Sequence, residues 1–176
     1  LSITMLHLGY KTCRTCFNDR LYEQGEAFFD TPIYTDYPML DVRFPGSKFI
    51  LTWRDPDKWH ASFERHALRL LHEFRGISNP SSLNRRCYTQ VFGLHDVPSR
   101  EFLLSRYYLH RHEAEQYFVG RPGSLLILSV DTDPDPLATL CRFLGSSVPQ
   151  NMVMPRANSE GLRAWDDVRH PNKLPS

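Results

Sequence analysis

Two short stretches bring together the residue types from which an anion site is built. The first is YKTCRTC at 10–16, directly after an apolar run. It supplies an ammonium at Lys11, a guanidinium at Arg14, hydroxyls at Thr12 and Thr15, and a C-x-x-C pair at Cys13 and Cys16. The second is FPGSKFILTWRDPDKWHASFERH at 44–66, where Arg54 closes an apolar run and Ser62 follows eight residues later. An arginine fork and a hydroxyl converging on one helix start suit a phosphate, because the planar donors match its oxygens. A lysine beside the free N–H groups of a helix start suits a second anion. Two thiols in that position suit redox chemistry instead, since a helix start lowers a thiol pKa.

Those side chains need elements to hold them. SITMLHL at 2–8, KFILTW at 48–53 and SLLILSV at 124–130 are short, nearly continuous apolar runs, as expected of strands buried on both faces. Between them lie helical patterns. Asp55 as N-cap and Pro56 as first residue open one helix, with Trp59, Phe63, Ala67, Leu70 and Phe74 on a single face. Another starts near Ser99, with Leu103, Tyr107, Ala114 and Tyr117 on one side; a third, at 135–144, is closed by Gly145. Strands alternating with helices imply parallel pairing with right-handed crossovers, hence an α/β sandwich. Residues 76–98 and 146–176, rich in Pro, Ser, Asn and Arg, read as irregular.

In an open α/β sheet, ligands bind where strands end and helices begin. If the first strand ends near Leu8, GYKTCRTC occupies such a turn. A nucleoside-triphosphate P-loop does not fit, because no second glycine precedes Lys11. A dithiol site, a phosphate or phosphosulfate cradle built on Lys11, and a plain surface lysine beside two half-buried cysteines all stay open for this stretch alone. Arg54 and Ser62 favour the cradle, since two anion sites at adjacent strand ends are uncommon by chance. A salt bridge to Asp55 or another carboxylate is the plain alternative for Arg54.

On these residues the chain resembles the P-loop-like sulfotransferases that use 3′-phosphoadenosine 5′-phosphosulfate (PAPS), in their soluble, bacterial-type branch. FPGSKFILTWRDPDKWHAS is similar to that branch's F-I-L-T-x-R-D-P-x-x-W-x-x-S. LLILSVDTDPDPLATLCRFLGSSVP at 125–149 resembles its late strand, helix and F-L-G-x-x-x-P ending, and MPRANSEG at 154–161 the segment after it. The resemblance implies one sulfotransferase-like domain over 1–176, with a three-layer sandwich around a mostly parallel sheet. It also implies PAPS as co-substrate and 3′-phosphoadenosine 5′-phosphate (PAP) as product. Lys11 would meet the bridging oxygen of the phosphosulfate, in a loop formed by Thr12, Cys13, Arg14, Thr15 and Cys16. Arg54 and Ser62 would hold the 3′-phosphate. Cys13 and Arg14 depart from the K-x-G-T pattern, and a Cβ at position 13 limits how closely the backbone approaches a phosphate.

Sulfuryl transfer is an in-line displacement that needs alignment, charge stabilisation on the leaving phosphate and removal of the acceptor's proton. Asp36 in YTDYP matches the family's D-x-P and is taken as the base ahead of Asp30, Glu26 and His66. A turn or cap role beside Pro38 is its equal rival. A kinase, a nucleotide-binding domain without catalysis and a dithiol oxidoreductase are the competing functions.

Composition narrows the setting. The 176 residues suffice for one domain with a substantial core, and 41% of them are apolar. A net charge of +1 gives no field for a nucleic-acid partner, and no run reaches the ~20 apolar residues of a membrane span. Four cysteines, at 13, 16, 87 and 141, lack the density of a secreted scaffold and the spacing of a metal site. No metal is expected, and a cytoplasmic setting is. The first residue is Leu rather than Met, which leaves room for a natural start, signal or anchor upstream. A small molecule, a saccharide or a lipid all fit as acceptor, and nothing in the sequence fixes an oligomeric state.

Overall fold

The computed structural model describes residues 1–16, 18–75, 82–93, 98–155 and 165–175. The order is α1 (Ser2–His7), β1 (Thr12–Arg14), α2 (Asp19–Gln24), β2 (Ala27–Phe29), α3 (Ile33–Arg43), β3 (Phe49–Trp53) and α4 (Pro56–Arg75). It continues with α5 (Ser82–Phe92), α6 (Arg100–Tyr117), β4 (Leu125–Ser129), α7 (Pro136–Leu144) and a 3₁₀ turn at Trp165–Asp167. The chain is a mixed α/β protein with two parallel ladders among the described residues. β1 pairs with β2 in the register Thr12↔Ala27 to Arg14↔Phe29. β3 pairs with β4 from Phe49↔Leu125 to Trp53↔Ser129.

One apolar core joins the two ladders. Met5 of α1, Ala27 of β2, Leu128 of β4 and Leu140 of α7 are buried together, with Phe29, Ile50 and Val130 packed around them. Parallel pairing forces the long crossover between β3 and β4, which α4, α5 and α6 provide. A second core lies in that crossover, where Phe63 and Leu103 pack with Trp59, Tyr88 and Phe92.

The caps act where the sequence places them. Asp55 Oδ1 accepts the amides of Asp57 and Lys58 at the start of α4. Ser99 accepts from Phe102 and Asp135 from Ala138, while Gly145 closes α7 at φ +78°. Leu103, Tyr107 and Ala114 are buried along α6 as expected. Ala67, Leu70 and Phe74 fall on side chains outside the described residues.

Four expectations are corrected. Residues 2–7 form a helix, not a strand: Met5 N–H bonds to Leu1 C=O, and Thr4, Met5 and Leu6 are buried. A short apolar run has the same pattern in either conformation, so periodicity alone does not separate them. Residues 12–14 of the supposed loop are a strand. Within 76–98, residues 82–92 form α5 rather than irregular chain. Within 146–176, Trp165–Asp167 is helical and Lys173 bridges to Thr12 alongside β1. Residues 156–161 of the MPRANSEG segment lie outside the described residues.

Candidate functional site

Arg54 is the first residue past the carboxyl end of β3, and its backbone is clamped on both sides. Its N–H donates to the Tyr107 hydroxyl at 3.0 Å, and that hydroxyl donates to the Arg54 carbonyl at 3.3 Å. The Tyr107 ring is stacked between Trp53 and Trp59, with centroids 4.1 Å away on each side. Burial pushes the Tyr107 hydroxyl up, so it stays protonated and keeps its donor role. The clamp fixes the arginine's base and leaves its side chain 40% exposed.

Among the described residues, the guanidinium is only lightly engaged. Arg54 Nε lies 3.4 Å from Asp131 Oδ2, and the Asp55 amide reaches the same oxygen at 3.3 Å. Both contacts are long for charge-assisted bonds, which close to about 2.7–2.9 Å when fully formed. Ser62 is exposed on α4. At 1.5 Å rise per residue it lies about 10 Å along the axis from the Asp55 cap. The Arg54 guanidinium therefore stands beside the capped start of α4, and Ser62 about two turns further along that helix.

The YKTCRTC stretch is built otherwise than expected. It enters a strand instead of leaving one, so Lys11 sits at the amino end of β1. The amides meant to cradle an anion have protein acceptors: Lys11 N–H bonds Glu26 Oε2, Thr12 bonds Asn172 C=O, Thr15 bonds Phe29 C=O and Cys16 bonds Thr31 C=O. The Thr12 hydroxyl donates to Tyr10 C=O. Cys13 and Cys16 are buried with Leu21 in a third apolar cluster. A hydrogen bond between the two thiols lowers Cys13, and the same bond with burial pushes Cys16 up. The pair is not displayed at a helix start, which removes the basis of the dithiol reading. Only Lys11, Arg14 and Thr15 of the six residues reach solvent. The cradle, as a backbone device at 11–16, is not formed.

Asp36 also departs from its expected role. It lies in the first turn of α3, where Arg86 grips it through two bonds, Nη1 to Oδ1 at 2.8 Å and Nη2 to Oδ2 at 2.7 Å. The Thr35 hydroxyl adds a bond to Oδ1 at 2.9 Å. Burial works to raise the carboxyl, but Arg86 and Thr35 outweigh it and hold Asp36 below the usual carboxylate range. With both oxygens engaged and basicity lowered, it is a structural ion pair between α3 and α5. Of the alternatives, Glu26 holds the Lys11 amide, and His66 Nε2 meets the Tyr88 hydroxyl at 3.0 Å in the helical layer. Asp30 is different: it follows β2 directly and meets Arg14.

Two participants were not picked out from sequence. Tyr107 resembles any core aromatic on a helix, and no pattern marks its hydroxyl as the Arg54 clamp. Asp131 had a signal, because it directly follows the apolar run of β4 as Arg54 follows that of β3. Among the described residues, no cluster of three or more His, Cys, Asp or Glu side chains is placed to hold a metal ion. Nor is any helix there long and apolar enough to cross a membrane.

The family model for a sulfotransferase domain matches residues 6–162. No curated protein matches the chain.

Proposed function

Because this chain belongs to the sulfotransferase domain family, we propose that it moves a sulfuryl group from PAPS to an acceptor hydroxyl or amine. The observation that carries the donor assignment is Arg54, clamped at the backbone, lightly held at the guanidinium and adjacent to the capped start of α4. Arg54 and Ser62 would hold the 3′-phosphate, the group that separates PAPS from ATP. The exposed guanidinium would exchange its long contact to Asp131 for the phosphate, a stronger acceptor. The two ladders with their shared core are read as parts of a three-layer sandwich of P-loop-like topology. A cytoplasmic setting fits four unpaired thiols. The acceptor is a small molecule, a saccharide or a lipid.

In the reaction, the acceptor oxygen or nitrogen attacks sulfur while the bond from sulfur to the bridging oxygen breaks, and PAP leaves with the electron pair. The chain's part is to align the donor through the 3′-phosphate and to receive the acceptor's proton. Calorimetric titration with PAP and with ADP tests the donor assignment. PAP should bind at least tenfold tighter. Equal binding would return the chain to the nucleotide kinases.

A further inference from the structure

Residues 165–175 lie beyond the stretch the family model matches, yet they are built into the fold along β1. Thr12 N–H donates to Asn172 C=O at 2.8 Å, and Leu174 N–H donates to Thr12 C=O at 2.9 Å, so that Lys173 bridges to Thr12 in parallel. The Asn172 side chain donates to Gly9 C=O at 2.7 Å, and Leu174 packs against Cys13, Cys16 and Leu21. Lys173 Nζ donates to the carbonyls of Trp165, Asp166 and Val168 at 2.7, 3.4 and 3.1 Å, which closes the segment into a loop.

This strap carries Trp165 to the sheet. Trp165 is 6% exposed, and two cations lie over its ring, Lys173 Nζ at 4.8 Å and the Arg14 guanidinium at 5.9 Å from the centroid. Its Nε1–H is buried without an acceptor among the described residues, a cost that a phenylalanine would avoid. The N–H thus works against the fold, while indole holds cations more strongly than a phenyl ring does. The cations over the ring explain an indole at this position. Lys173 is already fixed by three carbonyls, so Arg14 is the cation left for the ring to set.

Arg14 is the last residue of β1 and stands at the carboxyl edge of the β1–β2 pair, where ligands of α/β sheets bind. Nε and Nη2 both meet Asp30 Oδ2, at 2.6 and 2.5 Å, and Nη1 has no partner among the described residues. The next residue, Thr15, has φ +61°, which strains a β-branched side chain, and such strain gathers at functional sites. The protein spends one edge of the guanidinium and leaves one donor for a negative oxygen.

We propose that Trp165 is a positioning residue of the transfer: carried by the 165–175 strap, its ring sets the Arg14 guanidinium so that Nη1 meets negative charge as it develops on the reacting group. The assignment rests on the sulfotransferase reading. An interaction realised only as charge develops changes turnover more than ground-state binding. Misplacing such a group by about 1 Å is enough to cost ~10²-fold.

The test uses the full chain with PAPS as the probe and water as the acceptor, which gives sulfate and PAP, and PAP release is the readout. Trp165→Leu keeps an apolar side chain and removes the ring. It should lower kcat about tenfold or more, while KM for PAPS and PAP affinity stay within about threefold. Trp165→Phe returns a ring and should recover at least about a third of the unaltered turnover. Arg14→Gln should lower kcat at least as far as Trp165→Leu. Adding Trp165→Leu to Arg14→Gln should lower it by less than about threefold more, because the guanidinium it acts through is already gone. Where a melting curve shows that Trp165→Leu does not fold, Trp165→Met is read in its place by the same limits. Turnover of the Leu variant within threefold of the unaltered chain, a Phe variant no better than Leu, or losses that multiply in the double variant overturn the proposal. So does an unaltered chain that binds PAP and consumes no PAPS. A chain that fails to bind PAP overturns the donor reading beneath it, a different failure.

Discussion

Replacing Asp36 by Asn separates a base from a brace. The change is nearly isosteric but removes the negative charge that Arg86 grips through both guanidinium nitrogens. Hydrogen bonds to charged groups contribute about 1.5–3 kcal/mol. Arg86 is 45% exposed and Asp36 16%, so solvent screening brings the expected loss to about 1–2 kcal/mol. In a domain of this length, that lowers Tm by about 2–8 °C. The pH dependence carries a sign. The folded-state pKa of Asp36 is depressed, so its contribution is complete above the unfolded carboxylate pKa and fades as pH falls through the lower folded value. Melting curves of the unaltered chain and the variant should therefore differ at neutral pH and converge in acid. Turnover per folded molecule should be unchanged. A variant that melts like the unaltered chain at pH 7 yet loses its rate by about 10²-fold, the scale of a lost general base, would refute the reasoning and restore Asp36 as the base.

Two further outcomes follow from the geometry of 11–16. Lys11→Ala should leave PAP affinity and PAPS turnover within about threefold, because a solvent-screened charge at the amino end of β1 contributes little; a fall of ~10²–10³ in turnover, the scale of a lost charge-stabilising donor, would place the lysine at the sulfuryl group after all. Cys13→Ser with Cys16→Ser puts hydroxyls into a core where the thiols are 0% and 2% exposed, at a cost of about 1–3 kcal/mol each. Tm should drop while the stabilisation given by PAP is retained; loss of turnover with an unchanged Tm would reopen dithiol chemistry.

The legible parts of this fold were those whose ends carry their own chemistry. Asp55 with Pro56, Ser99, and Asp135 with Gly145 mark helices through side-chain caps and a left-handed stop, and each acts as its residue type predicts. β3 and β4 were legible because five consecutive apolar or half-apolar residues sit in a shared register. α1 was misread because its run is as apolar as a strand and only six residues long. α3 was hidden by Pro38 inside it and by having only Thr35 and Leu40 buried, too few for a periodic stripe. β1 and β2, three residues each, are fixed by long-range pairing that leaves no local trace. The position of Lys11 follows from α1: because 2–7 is a helix, Lys11 precedes β1 instead of following a strand. Arg54 kept its position because β3 and α4 were both correctly bounded.

The central claim, a donor site that reads the 3′-phosphate through Arg54, is tested most directly by thermal shift with PAP and ADP on the unaltered chain and on Arg54→Ala. At about 100-fold excess over Kd, PAP should stabilise the unaltered chain by about 2.7 kcal/mol, and ADP far less. Losing a charged phosphate bond of about 1.5–3 kcal/mol should weaken PAP binding about 10- to 150-fold in the variant. The Tyr107 clamp acts on the backbone of Arg54, so the variant should keep its fold. A PAP shift that collapses to the ADP level in Arg54→Ala is the predicted result. Equal shifts by PAP and ADP in the unaltered chain, or a PAP preference that survives without Arg54, would contradict the account.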